Sequence, residues 1–146
     1  MSRGSRYRAW RFVFPAVDTG MEDAGLALSA QGGIAMVSDA DSVRQAILLL
    51  VATRPGERVM RPDYGCPLYR LAFEPNDDTT AGLAMHYVRQ ALERWEPRIR
   101  VLAIDAGRSD EHPSRLLLEL HSRLKSEAHA QTLGFAVDLQ TGRAAP

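Results

Sequence analysis

From Arg115 to Leu124 apolar and polar residues alternate. Leu116, Leu118, Leu120 and Leu124 fall on one side, and Glu119, His121 and Arg123 on the other. A period of two marks a strand with one covered face and one wet face. Such a strand needs neighbours beside it and a layer over its apolar side. Leu133, Phe135, Val137 and Leu139 alternate in the same way with Gly134, Ala136 and Asp138. The run Ile99–Asp105 is apolar on both faces and reads as a central strand. Ser126–Thr132 reads as the turn joining the last two strands, and residues 140–146 as a fraying tail. The chain is thus predicted to carry a half-buried antiparallel sheet of about three strands near its C-terminus.

Two helical stripes precede it and supply the cover. Val43, Ile47, Leu50 and Val51 recur at helical spacing, with Leu48 and Leu49 widening the arc, until Pro55-Gly56 stops the helix. Ser42 and Gln45 have the spacing of a capping box, so this helix is predicted to begin near Asp41 or Ser42. A second stripe, Leu83, Tyr87, Val88, Ala91, Leu92 and Trp95, follows the caps Asn76-Asp77-Asp78-Thr79 and ends at Pro97. The fold class is α+β: a small single domain with two main helices packed on the sheet. Residues 1–33 read as an irregular arm, 34–140 as the domain and 141–146 as a tail. Ile34–Val37 reads as a short extended piece, and Leu68, Leu71 and Phe73 as one helical turn.

Composition excludes several classes. Basic and acidic residues number 18 each, so the excess expected of a general nucleic-acid binder is missing. No apolar run approaches the roughly 20 residues that span a bilayer; the longest is Ala46–Ala52. No secretory leader is expected, because Phe12-Val13-Phe14 is cut short by Pro15 and Asp18. The lone Cys66 has no second thiol, which fits a reducing compartment such as the cytoplasm. No metal site or cofactor is predicted: His86, His112, His121 and His129 have no ligand spacing. Seventeen of the 18 basic residues are arginine, a bias toward forked contacts with carboxylates. Four of them lie in the first eleven residues, among Tyr7 and Trp10 and without an acid; they read either as a solvated basic tail or as an arm that orders on an acidic partner.

No catalytic motif is present. Glu57, Asp63, Glu74, Glu93, Glu96 and Asp105 leave open a carboxylate pair for glycoside hydrolysis. The most informative cluster is Trp95-Glu96-Pro97-Arg98. Glu96 meets the negative end of a helix, a misfit of about 0.3–1 kcal/mol that a nearby cation would relieve. Arg98 stands two residues on, and Arg58 and Arg61 are further candidates. Two readings remain: a structural ion pair locking helix to strand, or a fork offered to a partner chain.

Four stretches together carry a family resemblance: Ser42–Ile47; Gly56-Glu57-Arg58-Val59-Met60-Arg61-Pro62-Asp63-Tyr64-Gly65 with its flanks Thr53–Pro55 and Cys66; Leu71–Asn76; and Trp95–Ile99. In order and spacing they resemble the lysozyme-like baseplate wedge family of contractile phage tails, type VI secretion systems and extracellular contractile injection particles, over residues 34–140. The resemblance implies a structural, non-enzymatic subunit, assembled in the cytoplasm and repeated around a six-fold baseplate, including that of particles released from the cell. It implies that Glu96, Pro97 and Arg98 contact the wedge core bundle, with Arg58 and Arg61 near them. It also implies that the contractile sheath adds strands to the sheet around Leu133, Phe135 and Val137, with the inner tube or hub as a further neighbour and no nucleic acid or membrane. The alternatives are a peptidoglycan hydrolase and a plain peptide-binding adaptor.

Overall fold

The computed structural model describes residues 7–13 and 25–145. Arg3, Arg6, Phe14, Pro15, Asp18 and Gly20 of the arm, and Pro146, lie outside them. The chain divides into two compact units, Met1–Ala46 (with Pro146) and Ile47–Ala145.

In the N-terminal unit the arm is not irregular where it is described. Strand β1 (Arg8–Trp10) pairs antiparallel with β4 (Met36–Ser38), and β2 (Phe12–Val13) with β3 (Gly25–Leu26). Helix α1 (Asp39–Ala52) begins earlier than the capping-box spacing suggests. The Asp39 N–H donates to Tyr7 O at 2.7 Å, and the Tyr7 N–H donates to Asp39 Oδ1 at 3.2 Å. Ser42 is buried within the helix, and Gln45 does not cap it. Gln45 Oε1 instead accepts from the Phe12 N–H at 2.6 Å, while Nε2 donates to Trp10 O at 2.7 Å. The amide thus satisfies two backbone groups that the short strands leave over.

In the C-terminal unit, α2 (Asp78–Trp95) starts at the cap Asp77, whose carboxylate accepts from the Thr80 N–H at 2.9 Å. That bond holds the Asp77 carboxyl below its usual value. The buried side is Thr80, Ala84, Val88, Ala91 and Leu92; Leu83, predicted in the stripe, is 42% exposed. The 3-10 turn Leu68–Leu71 buries both leucines, while Phe73 is turned out to water.

The sheet is a meander of four strands rather than about three: β5 (Ile99–Arg108), β6 (Arg115–Leu124), β7 (Ala130–Asp138) and β8 (Arg143–Ala145), each paired with the next. Residues 143–145, predicted to fray, pair with Ala136–Asp138. Ala130–Thr132 belong to β7 rather than to the turn. β5 is an edge strand rather than a central one, and its misleading pattern has a physical cause. Val101 faces Ser122 and Ala103 faces His121, so Leu102 is one extra residue, a bulge. The bulge shifts the phase by one, and Ile99 and Ile104 both reach the core although five positions separate them. Leu116, Leu118, Leu120 and Leu124 of β6 and Leu133, Phe135 and Val137 of β7 are buried as predicted, with α2 packed against β5.

Candidate functional site

The segment between α1 and the 3-10 turn is a closed loop. At its base the Cys66 N–H donates to Thr53 O at 2.9 Å, and at its neck the Gly56 N–H donates to Pro62 O at 2.6 Å. Gly65 (φ 137) lies so close to Thr53–Pro55 that no side chain fits between. The tip, Arg58 to Arg61, projects into water. Val59 is 89% exposed and Met60 92%, and Met60 holds the left-handed conformation (φ 64). That conformation costs a non-glycine residue about 1 kcal/mol or more, and the Arg61 N–H closes the turn by donating to Arg58 O at 3.3 Å.

A ladder of rings and cations lays this loop on the end of α2. The Arg58 guanidinium stands over the Tyr64 ring at 4.3 Å. Tyr64 meets Trp95 edge-on, with centroids 5.4 Å apart. Arg94 covers Trp95 at 4.8 Å and reaches Asp63 at 3.5 Å. Burial holds the Tyr64 hydroxyl above its ordinary value; the Arg58 guanidinium opposes that shift and the Glu96 carboxylate adds to it.

Glu96 ends α2, its N–H donating to Leu92 O at 2.9 Å. Its residue exposure is only 5%. Both carboxylate oxygens are engaged by one partner: Arg98 Nε donates to Oε1 at 2.6 Å, and a terminal nitrogen of the same guanidinium donates to Oε2 at 2.7 Å. This fork is the cation that the helix-end misfit requires. Exposed Pro97 separates the two, and the Lys125 N–H donates to Arg98 O at 2.9 Å, tying the turn to the sheet. The Arg98 side chain remains 30% exposed, so the guanidinium is fixed from within and reaches the surface. Open clefts flank this ridge. One of about 330 Å³ is lined by Pro55, Pro62, Tyr87 and Trp95 among others, and one of about 320 Å³ by Glu93, Pro97, Arg100 and Val101 among others.

Glu96 and Arg98 are thus bonded to each other across Pro97, and Arg58 lies on Tyr64, which in turn meets Trp95 at the end of the same helix. Arg61 stands exposed on the tip. Leu133, Phe135 and Val137 do not face outward: they fill the core, and β7 runs between β6 and β8. A strand arriving from outside would meet the sheet at the backbone of an outer strand, not at these side chains. Two contributions were missed in the sequence. Tyr64 and Trp95 form the joint between loop and helix, a contact across 31 positions that no local period reveals. Val59 and Met60 are an apolar pair set between arginines in a turn, and their exposure to water rather than burial is what the sequence does not show.

The remaining chemistry is sparse. Glu57 Oε2 accepts from the Arg54 N–H at 2.9 Å, and Asp63 and Glu96 are paired with arginines. His121 lies on the outer sheet face, with Nε2 at 3.2 Å from Asp105 and 3.5 Å from Glu119. Among the described residues no group of three or more His, Cys, Asp or Glu is placed to hold a metal ion. Cys66 is 1% exposed, and burial pushes its thiol up to about 12. Native protein at pH 8 is thus expected to resist alkylation by iodoacetamide, and denatured protein to react fully. Rapid labelling of the native chain would contradict this burial.

Comparison with known proteins adds an independent line. The sequence model of the baseplate wedge protein gp25 family matches residues 37–129. Over 64 residues the chain is 33% identical to baseplate wedge protein gp25 of Enterobacteria phage T4, covering 44% of this chain and 48% of that protein. It thus spans about half the length of that curated relative. Among solved structures, a putative tail lysozyme from Geobacter sulfurreducens is 35% identical with a TM-score of 0.65, covering 70% of this chain and 94% of that one. A chain of the anti-feeding prophage baseplate, solved with 6-fold symmetry, has a TM-score of 0.68 at 23% identity, covering 84% of this chain and 88% of that one; at that identity the likeness is one of fold.

Proposed function

The chain belongs to the gp25 family of baseplate wedge proteins, and on that premise we propose that it is a non-enzymatic structural subunit of a contractile injection machine. It sits in the baseplate, binds the helical core bundle of the wedge through Arg98, Pro97 and the loop tip, and offers a sheet edge on which the contractile sheath starts. The observation that supports this reading most is the buried fork. Glu96 is spent inside the protein on holding Arg98, whose side chain still reaches the surface. A guanidinium held in this way suits a carboxylate-bearing helical partner, and the loop tip adds the exposed side chains of Val59 and Met60. Arg58 and Arg61 flank that apolar pair and extend the same surface.

The sheath contact belongs to the backbone. Among the described residues no strand pairs with β5 on the side away from β6. An open strand of ten residues is a template for β-augmentation. Leu133, Phe135 and Val137 support this from within, by fixing the sheet whose edge is offered. Six copies per baseplate follow from the family resemblance and fit the symmetry of the related prophage particle.

The rival is hydrolysis, which the description of the Geobacter protein as a putative tail lysozyme suggests for that protein. Here Glu96 is held in a fork by Arg98, so one of the candidate carboxylates is already engaged inside the protein. Electron microscopy of particles from cells lacking the gene separates the readings. Loss of sheathed particles, with no turnover of peptidoglycan by the purified protein, is the expected result. Normal sheathed tubes that fail to breach a cell wall, together with turnover, would return the hydrolase.

A further inference from the structure

The N-terminal unit holds an arrangement that the wedge contact does not use. Three strand segments meet in a closed triangle of backbone hydrogen bonds. The Arg11 N–H donates to Ala35 O at 2.8 Å, the Ala35 N–H to Ala27 O at 2.8 Å, and the Ala27 N–H to Arg11 O at 3.0 Å. From this hub three two-stranded arms lead outward. Trp10 stands opposite Met36 in one, Phe12 opposite Leu26 in the second, and Leu28 opposite Ile34 in the third. Each of these six residues neighbours a hub residue along its strand. Side chains alternate along a strand, and residues directly opposite share a face. Parity therefore puts all six on one side of the Y-shaped element, and the hub residues on the other.

Five of the six are exposed and Phe12 is half-buried; of the hub residues Ala27 is buried, Ala35 half-buried and Arg11 exposed. Trp10 is 58% exposed, Leu26 49%, Leu28 75%, Ile34 40% and Met36 44%, while Ala27 on the opposite side is buried. Scattered exposed apolar residues need no explanation, but a contiguous set does. At ordinary side-chain areas these fractions leave on the order of 500 Å² in water, near the top of what a typical monomer shows in one patch. That is less than the roughly 800 Å² per partner of a stable two-chain interface, so a second copy of this chain is not the natural occupant. Arg8, two residues before Trp10, lies exposed on the same face, and the strands and turn that build the element, residues 7–13 and 25–37, contain no acid. Such a face fits a segment with an apolar stripe and carboxylates at its rim. All six residues precede residue 37, where the match to the family begins.

We propose that this face docks an apolar, acid-flanked segment of a neighbouring baseplate subunit, a second attachment separate from the Arg98 contact. The identity of the neighbour rests on the baseplate reading above. The test is Leu28→Asp with Met36→Asp, with Leu28→Asp alone as the milder variant, both placed at solvent-facing positions. The fraction of full-length chain that co-purifies with particles is expected to fall about tenfold or more. The thermal melt of the isolated protein, and its monomeric elution, should match the parent. Parental incorporation of the double variant would overturn the proposal. So would a dimer of the parent that the variant dissolves, or binding of the parent to anionic lipid vesicles that the variant abolishes. Arg98→Ala, run in parallel, separates the two claims. If it alone blocks incorporation, the second attachment fails and the baseplate reading stands; if neither variant does, both fail.

Discussion

Arg98→Ala is expected to lower the unfolding free energy by about 3 kcal/mol and to remove the chain from assembled particles. A purely partner-facing Arg98 would show only the second effect. Burial of Glu96 changes the first. In the parent Glu96 is 5% exposed and Arg98 engages both of its carboxylate oxygens; in the variant the carboxylate loses both of these short hydrogen bonds. An uncompensated buried charge is costly, whereas replacing both members of a buried pair with apolar residues is often neutral. The informative companion is therefore Glu96→Leu with Arg98→Met. Its melting temperature is expected to return to within a few degrees of the parent, while incorporation stays lost. Restored incorporation in that double variant would mean that the ion pair only locks helix to strand.

The second large effect is expected at Gly65. A Cβ there would lie 2.5 Å from Thr53 O and 2.9 Å from backbone atoms of Arg54 and Pro55. All three neighbours are main chain, so no side chain can swing aside, and the φ of 137 already disfavours any L-residue. Strain and overpacking together come to about 4 kcal/mol for Gly65→Ala, or about 12 °C in Tm for a chain of this size. Gly56→Ala is the control. Its φ of 88 carries strain, but nothing lies within 4 Å of the added carbon, so the expected cost is about 1 kcal/mol. Equal melting temperatures for the two variants would show that the loop base is not closed as described. Lifting Gly65 would also pull Tyr64 from Trp95, so the Gly65 variant should lose the edge-on contact that seats the loop beside Glu96.

What could be read in the sequence is what obeys a local period. β6 alternates over its whole length because one face is core and the other water. α2 was placed correctly except for a rotation of its stripe, in which small Ala84 replaces larger Leu83 on the covered side. Local periods fail where one residue breaks phase or a partner is distant. Leu102 makes an edge strand look two-faced. Residues 143–145 are too few to show alternation and become a strand only because Ala136–Asp138 stand beside them. Gln45 has the right spacing for a cap, yet its amide finds Trp10 and Phe12 more than 30 positions away. At the site, the Glu-Pro-Arg cluster was legible because a carboxylate at a helix end calls for a cation. The direction in which that cation is held was not, since it depends on how deeply Glu96 is buried.

The meander order of the sheet bears on timing. Each strand pairs with the one next to it in sequence, so the loops to be closed are short, and chains dominated by such contacts fold quickly. The C-terminal unit should therefore complete itself soon after synthesis, without waiting for other chains, whose docking is slower and depends on concentration. During that interval β5 stands as a finished strand with an open side in a crowd of identical copies. The extra residue Leu102 interrupts the regular pairing of that strand, and a bulged edge is a poorer mate for another copy of itself than a regular one. Removing one residue at the bulge would straighten the strand, and the predictable failure is self-polymerisation before the machine is built.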